Sequence, residues 1–173
     1  MSAPPDAEPL PVREGPSPHR LSVDAGGFDD LYREARPPMV RLAWLLVGSR
    51  AVAEDVVHDA FVAVHQRWDG IDNPGGYLRR AVVNGALTWR RRRDHEERLL
   101  AVIGEPPATG DPVVDPMWDA IGRLDPARRA VVVLRYWADL PHAEIAEILG
   151  CPVATVRTRL HRALADLRKE TER

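Results

Sequence analysis

Cysteine is almost absent from this sequence of 173 residues: Cys151 is the only one, so no disulfide can form within the chain. The six histidines follow no CxxC or HExxH spacing, which leaves no framework for zinc. Long apolar runs are missing too, because the run at 42–47 is far shorter than the roughly 20 residues that span a bilayer, and the N-terminus lacks a signal-peptide pattern. We therefore expect a cytoplasmic protein that is not inserted in a membrane and holds no metal or cofactor.

Catalytic patterns are equally scarce. An enzyme needs converging carboxylates, a metal set, or a nucleophile with its base. The nearest pair is Asp55 and Asp59, and neither a second carboxylate pair nor a Gly-rich phosphate loop accompanies them. No histidine is placed to activate Cys151, which is expected to pack in a turn. The sequence does not favour an enzyme.

The net charge of -2 is an average over segments of different composition. Residues 1–27 hold six of the 16 prolines and few periodic apolar positions, so they cannot bury enough surface to offset the entropy of ordering. Residues 94–114 are rich in Gly and Pro and are typical of a linker. We predict a disordered acidic, proline-rich tail at 1–27, domains at 28–93 and 115–173, and a flexible linker at 94–114.

Both predicted domains have apolar residues at helical spacing, and neither alternates with the period of two that marks a strand. The predicted fold class is all-α, with two small helical domains joined by the flexible linker. An apolar stripe predicts a helix over 53–68, and its members are Val57, Ala60, Phe61, Val64 and Trp68. Asp-Pro pairs at 115–116 and 125–126 predict helices over 116–124 and 126–137.

Residues 141–170 have the pattern of a helix-turn-helix. Gly150 permits the left-handed residue that ends a short first helix, and Pro152 opens the second. The predicted buried residues are Ile145, Ala146 and Leu149 on the first helix and Val156, Leu160, Ala163 and Leu167 on the second.

The opposite face of that second helix is basic. A helix with arginines near its start suits the major groove, where Arg reads guanine and other side chains bind phosphates. The predicted duplex contacts are Thr155, Arg157, Thr158, His161 and Arg162. Glu144 and Glu147, on the first helix, lie away from this face. A solvated basic face on a structural hairpin is the alternative.

Residues 77–93 contain no acidic residue and hold six arginines, at 79, 80 and 90–93. One face is predicted to point toward the core, with Leu78, Val82, either Gly85 or Ala86, and Trp89 at helical spacing. Another face forms a polar stripe of Arg80, Asn84, Thr88 and Arg91. Six positive charges can bind a phosphate backbone, an Asn can hydrogen-bond a base edge, and Tyr77 can offer a stacking surface. The alternative to DNA binding is a surface helix whose arginines are merely solvated. A GC-rich genome would explain the preference for Arg over Lys, but it would not explain the absence of acidic residues.

The predicted helix at 53–68 carries acidic rather than basic charge outside its apolar stripe, at Glu54, Asp55 and Asp59. An acidic amphipathic helix beside a basic one suggests a protein partner on the acidic side and DNA on the other. A solvated acidic face is an equally good interpretation of this helix alone.

Three stretches together resemble a known family: AEDVVHDAFVAVHQRW at 53–68, NPGGYLRRAVVNGALTWRRRR at 73–93, and DPARRAVVVLRYWADLPHAEIAEILGCPVATVRTRLHRALADLR at 125–168. They are similar to regions 2 and 4 of the extracytoplasmic-function (ECF, group IV) sigma factors, the small two-domain branch of the sigma-70 family. The resemblance covers 28–168, with both regions in order and a linker between them. It implies a protein that binds core RNA polymerase and directs promoter-specific transcription initiation.

The resemblance also implies a role for each surface. Region 2, at 28–93, would recognise and melt the -10 element, and region 4, at 115–173, would read the -35 element. The implied polymerase-binding residues are Asp55, His58, Asp59, Val62 and Gln66. The implied -10 contacts are the loop 69–76 with Tyr77, Arg79, Arg80, Asn84, Thr88 and Arg91. The implied -35 contacts are the five residues already predicted for the duplex. Partners are core RNA polymerase, promoter DNA and an anti-sigma factor.

A conventional repressor or activator that uses only the helix-turn-helix is the alternative binding protein. It predicts tight binding to duplex DNA without polymerase, usually as a symmetric dimer. No heptad or self-complementary stripe in the sequence supports it.

Overall fold

The computed structural model describes residues 27–103 and 116–171, with side chains except at 98–103, 116–117 and 171. The described residues contain no strand and form α1 (Phe28–Val47), α2 (Arg50–Gln66), α3 (Pro74–Ile103), α4 (Pro116–Arg123), α5 (Pro126–Val132), α6 (His142–Leu149) and α7 (Val153–Thr171). A 3₁₀ turn, Trp68–Gly70, follows α2, and a π-helical turn, Val133–Trp137, continues α5. The all-α prediction is confirmed. No described helix is long and apolar enough to cross a membrane. The predicted tail up to residue 26 lies outside the described residues.

Helices α1, α2 and α3 pack on one another around a common apolar core. The predicted stripes are buried at Val57, Ala60, Phe61, Val64, Leu78, Val82 and Ala86, while Trp68 and Trp89 are half-buried. Helix α2 begins at Arg50, three residues before the predicted start, and Arg50 pairs there with Glu54 at 3.1 Å. Helices α2 and α3 approach closely at Gly85, where an added Cβ would lie 3.0 Å from Cγ1 of Val56. Larger residues at 85 would push the helices apart.

Helix α3 is longer than predicted, because the helix continues through residues 94–103 of the expected linker. Two ion pairs with i, i+4 spacing bridge the predicted boundary, Arg90–Asp94 at 3.2 Å and Arg93–Glu97 at 2.8 Å. Such pairs stabilise a helix, and the first Gly of the linker comes only at residue 104. The predicted start of the linker at 94 is therefore wrong, and residues 104–115 lie outside the described ones.

The second unit comprises α4 to α7, and its helix starts follow the predicted signals. The Asp125 carboxylate caps α5 by accepting hydrogen bonds from the backbone N–H groups of Ala127 and Arg128, both at 3.1 Å. The helix predicted over 126–137 is continuous, but it widens into the π-helical turn after Val132. This turn buries Val133, Leu134 and Trp137.

The helix-turn-helix is confirmed in α6 and α7. Gly150 ends α6 with φ of 60°, in the left-handed region that glycine adopts without strain. Of the predicted inward residues, Ile145, Ala146, Val156, Leu160, Ala163 and Leu167 are buried and Leu149 is half-buried. Cys151 is half-buried in the turn between the helices, as expected of a packing residue.

The two units also contact each other, with α1 and α3 on one side and α4, α5 and α6 on the other. Arg129 of α5 is buried at this junction, with 4% of its surface exposed. Its guanidinium donates to the carbonyl oxygens of Leu46 and Ile121, each at 3.2 Å. Burial, and then the charge of Arg90, lower the pKa of Arg129 to about 10, so it keeps its charge at neutral pH. The carbonyl of Leu46 belongs to the last turn of α1, where helical partners run out, so Arg129 caps a helix of the other unit.

Candidate nucleic-acid and partner interfaces

The five residues predicted on α2 lie together on one exposed face. Asp55, His58, Asp59, Val62 and Gln66 are all exposed, and their spacing places them along one side of the helix; we refer to them as the α2 stripe. Val62 is 41% exposed and is one of two large apolar side chains that the described residues leave in solvent, with Tyr32. An exposed Val within a charged stripe provides the mixed apolar and acidic character of a protein-binding surface.

The polar stripe predicted on α3 also faces solvent. Arg80, Asn84, Thr88 and Arg91 are exposed, whereas Leu78, Val82 and Val83 on the other side of the helix are fully buried. We refer to these four exposed residues as the α3 stripe. Asn84 lies in its middle, where the oxygen and the NH2 of its side-chain amide are both exposed to a ligand.

The six arginines around this stripe are not equivalent. Arg90 and Arg93 are half-buried and pair with Asp94 and Glu97 one turn further along α3. Arg79 is 9% exposed and pairs with Glu144 of α6. Only Arg80, Arg91 and Arg92 are exposed. The acid-free stretch ends at residue 93, and the first acids after it neutralise two of its arginines.

A cleft of about 380 Å³ lies at the start of α3, beside the α3 stripe. Its lining comes from the predicted loop and the first turns of the helix, namely Arg67, Gly70, Ile71, Asp72, Asn73, Gly76, Tyr77 and Arg80. The Asn73 carboxamide oxygen accepts from the Gly76 N–H at 2.8 Å, and its carbonyl accepts from the Tyr77 N–H at 2.9 Å. Asn73 therefore fixes the loop against the helix and sets the shape of the cleft.

Tyr77 is half-buried in the wall of this cleft. Its hydroxyl accepts a hydrogen bond from Nη1 of Arg67 at 3.0 Å. This bond holds the ring in place and brings a guanidinium to the rim. Arg67 was missed by the sequence analysis; the signal available was a lone basic residue at the end of α2, directly before the acidic loop.

The predicted duplex-reading face of α7 is exposed at Arg157, Thr158, His161 and Arg162, while Thr155 is half-buried. The Thr158 hydroxyl donates back to the carbonyl of Ala154 at 2.9 Å, which leaves its oxygen lone pairs as acceptors. The face presents two guanidinium groups with an imidazole and a hydroxyl on one side of a helix. This is the donor-rich surface that a major groove accepts.

His142 begins α6 and lies near the same face. Burial lowers the pKa of His142 below its ordinary value of 6.5, and the charges of Arg135 and Arg157 lower it further. The imidazole Nε2 is buried and has no hydrogen-bond partner among the described residues. Arg135 and Arg157 therefore supply the positive charge near the start of α6, and the lowered pKa favours the neutral form of His142.

Among the described residues, no cluster of His, Cys, Asp and Glu could hold a metal ion. Asp55 and Asp59, the nearest approach to a catalytic carboxylate pair in the sequence, lie on the exposed α2 stripe rather than in a cleft.

Two family models match this chain. Residues 31–96 match Sigma-70 region 2, and residues 115–167 match Sigma-70, region 4. The first match covers α2 and its stripe, the cleft and the α3 stripe. The second covers α4 to α6 and the reading face of α7.

Whole-chain relatives agree with these matches. The RNA polymerase sigma-E factor of Streptomyces avermitilis is 35% identical over 154 residues, which span 84% of this chain and 85% of that protein. The ECF RNA polymerase sigma factor SigW of Bacillus subtilis is 27% identical over 168 residues, which span 85% of this chain and 90% of that protein. The fold resembles the sigma factor RpoE of Bartonella quintana, solved in complex with the anti-sigma factor NepR, with a TM-score of 0.66 and 19% identity over 84% of this chain and 96% of that one.

Proposed function

Since the chain belongs to the ECF branch of the sigma-70 family and directs core RNA polymerase to promoters, we propose that its three exposed surfaces divide this task. The α2 stripe binds polymerase, the cleft and α3 stripe bind the separated -10 strands, and α7 reads the -35 duplex. We place the protein in the bacterial cytoplasm, where the polymerase works. It acts by binding, with no chemical step of its own.

The α2 stripe suits a protein partner better than DNA. Its carboxylates, Asp55 and Asp59, repel phosphates, whereas they complement a basic protein surface. Val62 adds apolar area at its centre. We assign polymerase binding to all five residues of the α2 stripe.

The cleft and the α3 stripe suit unpaired bases. Melted DNA requires a pocket for an extruded base, and binding must offset an unstacking cost of a few kcal/mol. The cleft has a fixed loop on one side and the guanidinium groups of Arg67 and Arg80 at its edge. Asn84 follows Arg80 by one helical turn, where a base edge would be within its reach. Tyr77, Arg79, Thr88 and Arg91 complete the assigned -10 contacts.

Helix α7 suits intact duplex. Arg157 and Arg162 are exposed on the same face as His161 and Thr158, and Thr155 lies at the start of the helix. We assign base reading to Arg157 and phosphate binding to the others.

Two modest DNA-binding units on one chain raise each other's effective concentration at a promoter. We take the first unit to include all of α3, to residue 103, and the second to begin at α4. Promoter choice then depends on both elements and on their spacing. We further propose an anti-sigma factor as a partner, since the similar RpoE is bound to one.

The observation that carries this proposal is that both sigma regions occur in order and that the α2 stripe, the α3 stripe and Arg157, Thr158, His161 and Arg162 of α7 are exposed. Run-off transcription on a promoter library with purified core polymerase tests it. Addition of the protein should give defined starts that core polymerase alone does not. If no starts appear and the protein alone binds duplex tightly, the protein is a repressor or activator instead.

A further inference from the structure

The cleft at the start of α3 contains a single carboxylate. Asp72 is the only acidic residue among those that line it, and the same lining holds the guanidinium groups of Arg67 and Arg80. Asp72 is exposed, and the described residues supply no ion pair or hydrogen bond to its carboxylate. A cleft that only held phosphate would have no use for this group, because two negative charges repel each other.

The backbone on both sides of Asp72 is held in place. On one side, Ile71 packs against the apolar core. On the other side, Asn73 accepts hydrogen bonds from the N–H groups of Gly76 and Tyr77, at 2.8 and 2.9 Å. Asp72 therefore presents its carboxylate from a fixed position, although the side chain itself is exposed.

Gly76 makes this loop geometry possible. An added Cβ at position 76 would lie 2.8 Å from Nδ2 of Asn73, closer than real Cβ contacts come. Any side chain at position 76 would displace Asn73 and, with it, the neighbouring Asp72. The sequence of the loop therefore specifies where the carboxylate lies.

The other polar side chains of the cleft offer donors. Nη1 of Arg67 donates to the Tyr77 hydroxyl at 3.0 Å, which leaves the hydroxyl proton to donate to a ligand. The Asn73 carboxamide uses its oxygen within the loop, so its NH2 is the group left for a ligand. Among the described lining residues, Asp72 thus supplies the one ionised acceptor in a cleft of donors.

This arrangement distinguishes the bases of a separated strand. Adenine, cytosine and guanine each carry an exocyclic amino group, from which a carboxylate accepts a hydrogen bond, and each also has acceptors for the neighbouring donors. Thymine has no amino group, and its two carbonyl oxygens repel a carboxylate. The cleft of about 380 Å³ admits a purine or a pyrimidine, so hydrogen bonding rather than size makes the choice.

We propose that Asp72 makes the cleft select an extruded base that carries an exocyclic amino group and reject thymine. The inference rests on the assignment of the cleft to the separated -10 strand, and it adds the chemical class of base that the cleft takes. The amino group of an unpaired base is free to donate to Asp72. Thymine would leave the carboxylate dehydrated and without a donor, and a site built to bind a donor rejects the base that lacks it.

Competition binding by the complete holoenzyme tests this selection. Fork-junction DNA is made from a promoter that gives defined starts in run-off transcription, with the -10 element single-stranded. Each -10 position is changed in turn to the four bases. At one position, the promoter's own base should carry an amino group and bind about fivefold to tenfold tighter than thymine.

Base analogues isolate the amino group at that position. Cytosine is replaced by 2-pyrimidinone, adenine by purine, or guanine by hypoxanthine, each of which removes only the amino group. The analogue should lose about the same fivefold to tenfold in affinity as thymine does. This comparison uses the unsubstituted protein, so it does not depend on the folding of a variant.

Asp72→Asn keeps the shape of the side chain and removes its charge. The new amide NH2 donates to the O4 of thymine, so the preference over thymine should fall to within about twofold. Asp69→Asn is the matched control, because it removes the same charge from an exposed residue of the same loop that does not line the cleft. This control should keep the full preference.

An analogue that binds as tightly as its parent base at every -10 position would overturn the proposal. Equal tightening of all strands by Asp72→Asn would overturn it too, because Asp72 would then act only by repelling phosphate. Defined starts without any preference for an amino group refute the base selection and leave the function standing. Absence of starts on every promoter refutes the function, and the base selection falls with it.

Discussion

At the scale of single residues, the DNA-binding assignments and the pH dependence of stability depend on a few side chains with distinct surroundings. Asn84 is an exposed amide within a basic stripe, Arg157 is exposed on α7, and His142 has a partly buried ring between charges. Substitution of each residue has a different measurable effect.

Asn84→Ala should impair open-complex formation and leave binding to core polymerase unchanged, because Asn84 lies on α3 and the polymerase stripe lies on α2. Permanganate reactivity of the -10 region measures melting, and native gel shift measures polymerase binding. His95→Ala, an exposed residue further along α3, is the control and should melt promoters normally. Loss of polymerase binding by Asn84→Ala would show that the site is misplaced.

Arg157→Ala should weaken recognition of the -35 element by about 1–3 kcal/mol if Arg157 reads a base. Competition between promoters with single substitutions in the -35 element measures this, and discrimination should relax at one position only. Arg168→Ala, three turns along α7, should leave discrimination intact. A uniform loss over all sequences would instead make Arg157 a phosphate contact.

His142 makes stability depend on pH. Its pKa is lowered in the folded protein, so just below pH 6.5 the unfolded chain binds more protons than the folded one, and stability falls as the pH falls. Thermal unfolding at pH 7.5 and at pH 5 should give a smaller drop in Tm for His142→Gln than for the unsubstituted protein. An identical drop in the two proteins would contradict the role of His142.

At the scale of elements, the helices could be predicted where local signals were complete. The Asp125 carboxylate, Gly150 and the apolar periodicity of α2, α3 and α7 specify their helices, because caps and buried stripes depend on nearby residues. The end of α3 differs from the prediction because the Arg90–Asp94 and Arg93–Glu97 pairs extend the helix up to the Gly and Pro residues that begin at 104.

The turn of the helix-turn-helix gives a test at this scale. Gly150 has φ of 60°, where an added Cβ meets strain, although no atom lies within 4 Å of its position. Gly150→Ala should therefore lower the free energy of unfolding by about 1–2 kcal/mol. Gly122→Ala in the last turn of α4, where the nearest atom would be 3.9 Å away, should be neutral or stabilising by up to about 1 kcal/mol. Urea unfolding measures both, and an equal effect of the two substitutions would contradict the conformational argument.

At the scale of the whole molecule, sequence patterns could not predict how the two units meet. The contacts Arg79–Glu144, Arg80 with the Glu147 carbonyl, and Arg129 with the Leu46 carbonyl join residues 65 to 83 positions apart. No periodicity or capping rule spans such separations. Arginines on a helix that looked equally available for DNA therefore differ, since Arg79 is buried and Arg91 is exposed.

The central claim is that one chain places α3 on separated strands and α7 on duplex DNA when polymerase holds it. Site-specific photocrosslinking tests this most directly, with a benzophenone side chain at position 88 or at position 161 in complexes of core polymerase, protein and promoter. We predict that position 88 crosslinks to the -10 element and position 161 to the -35 element, both only when core polymerase is present. Crosslinks of both positions to one element, or the same crosslinks without polymerase, would contradict the account.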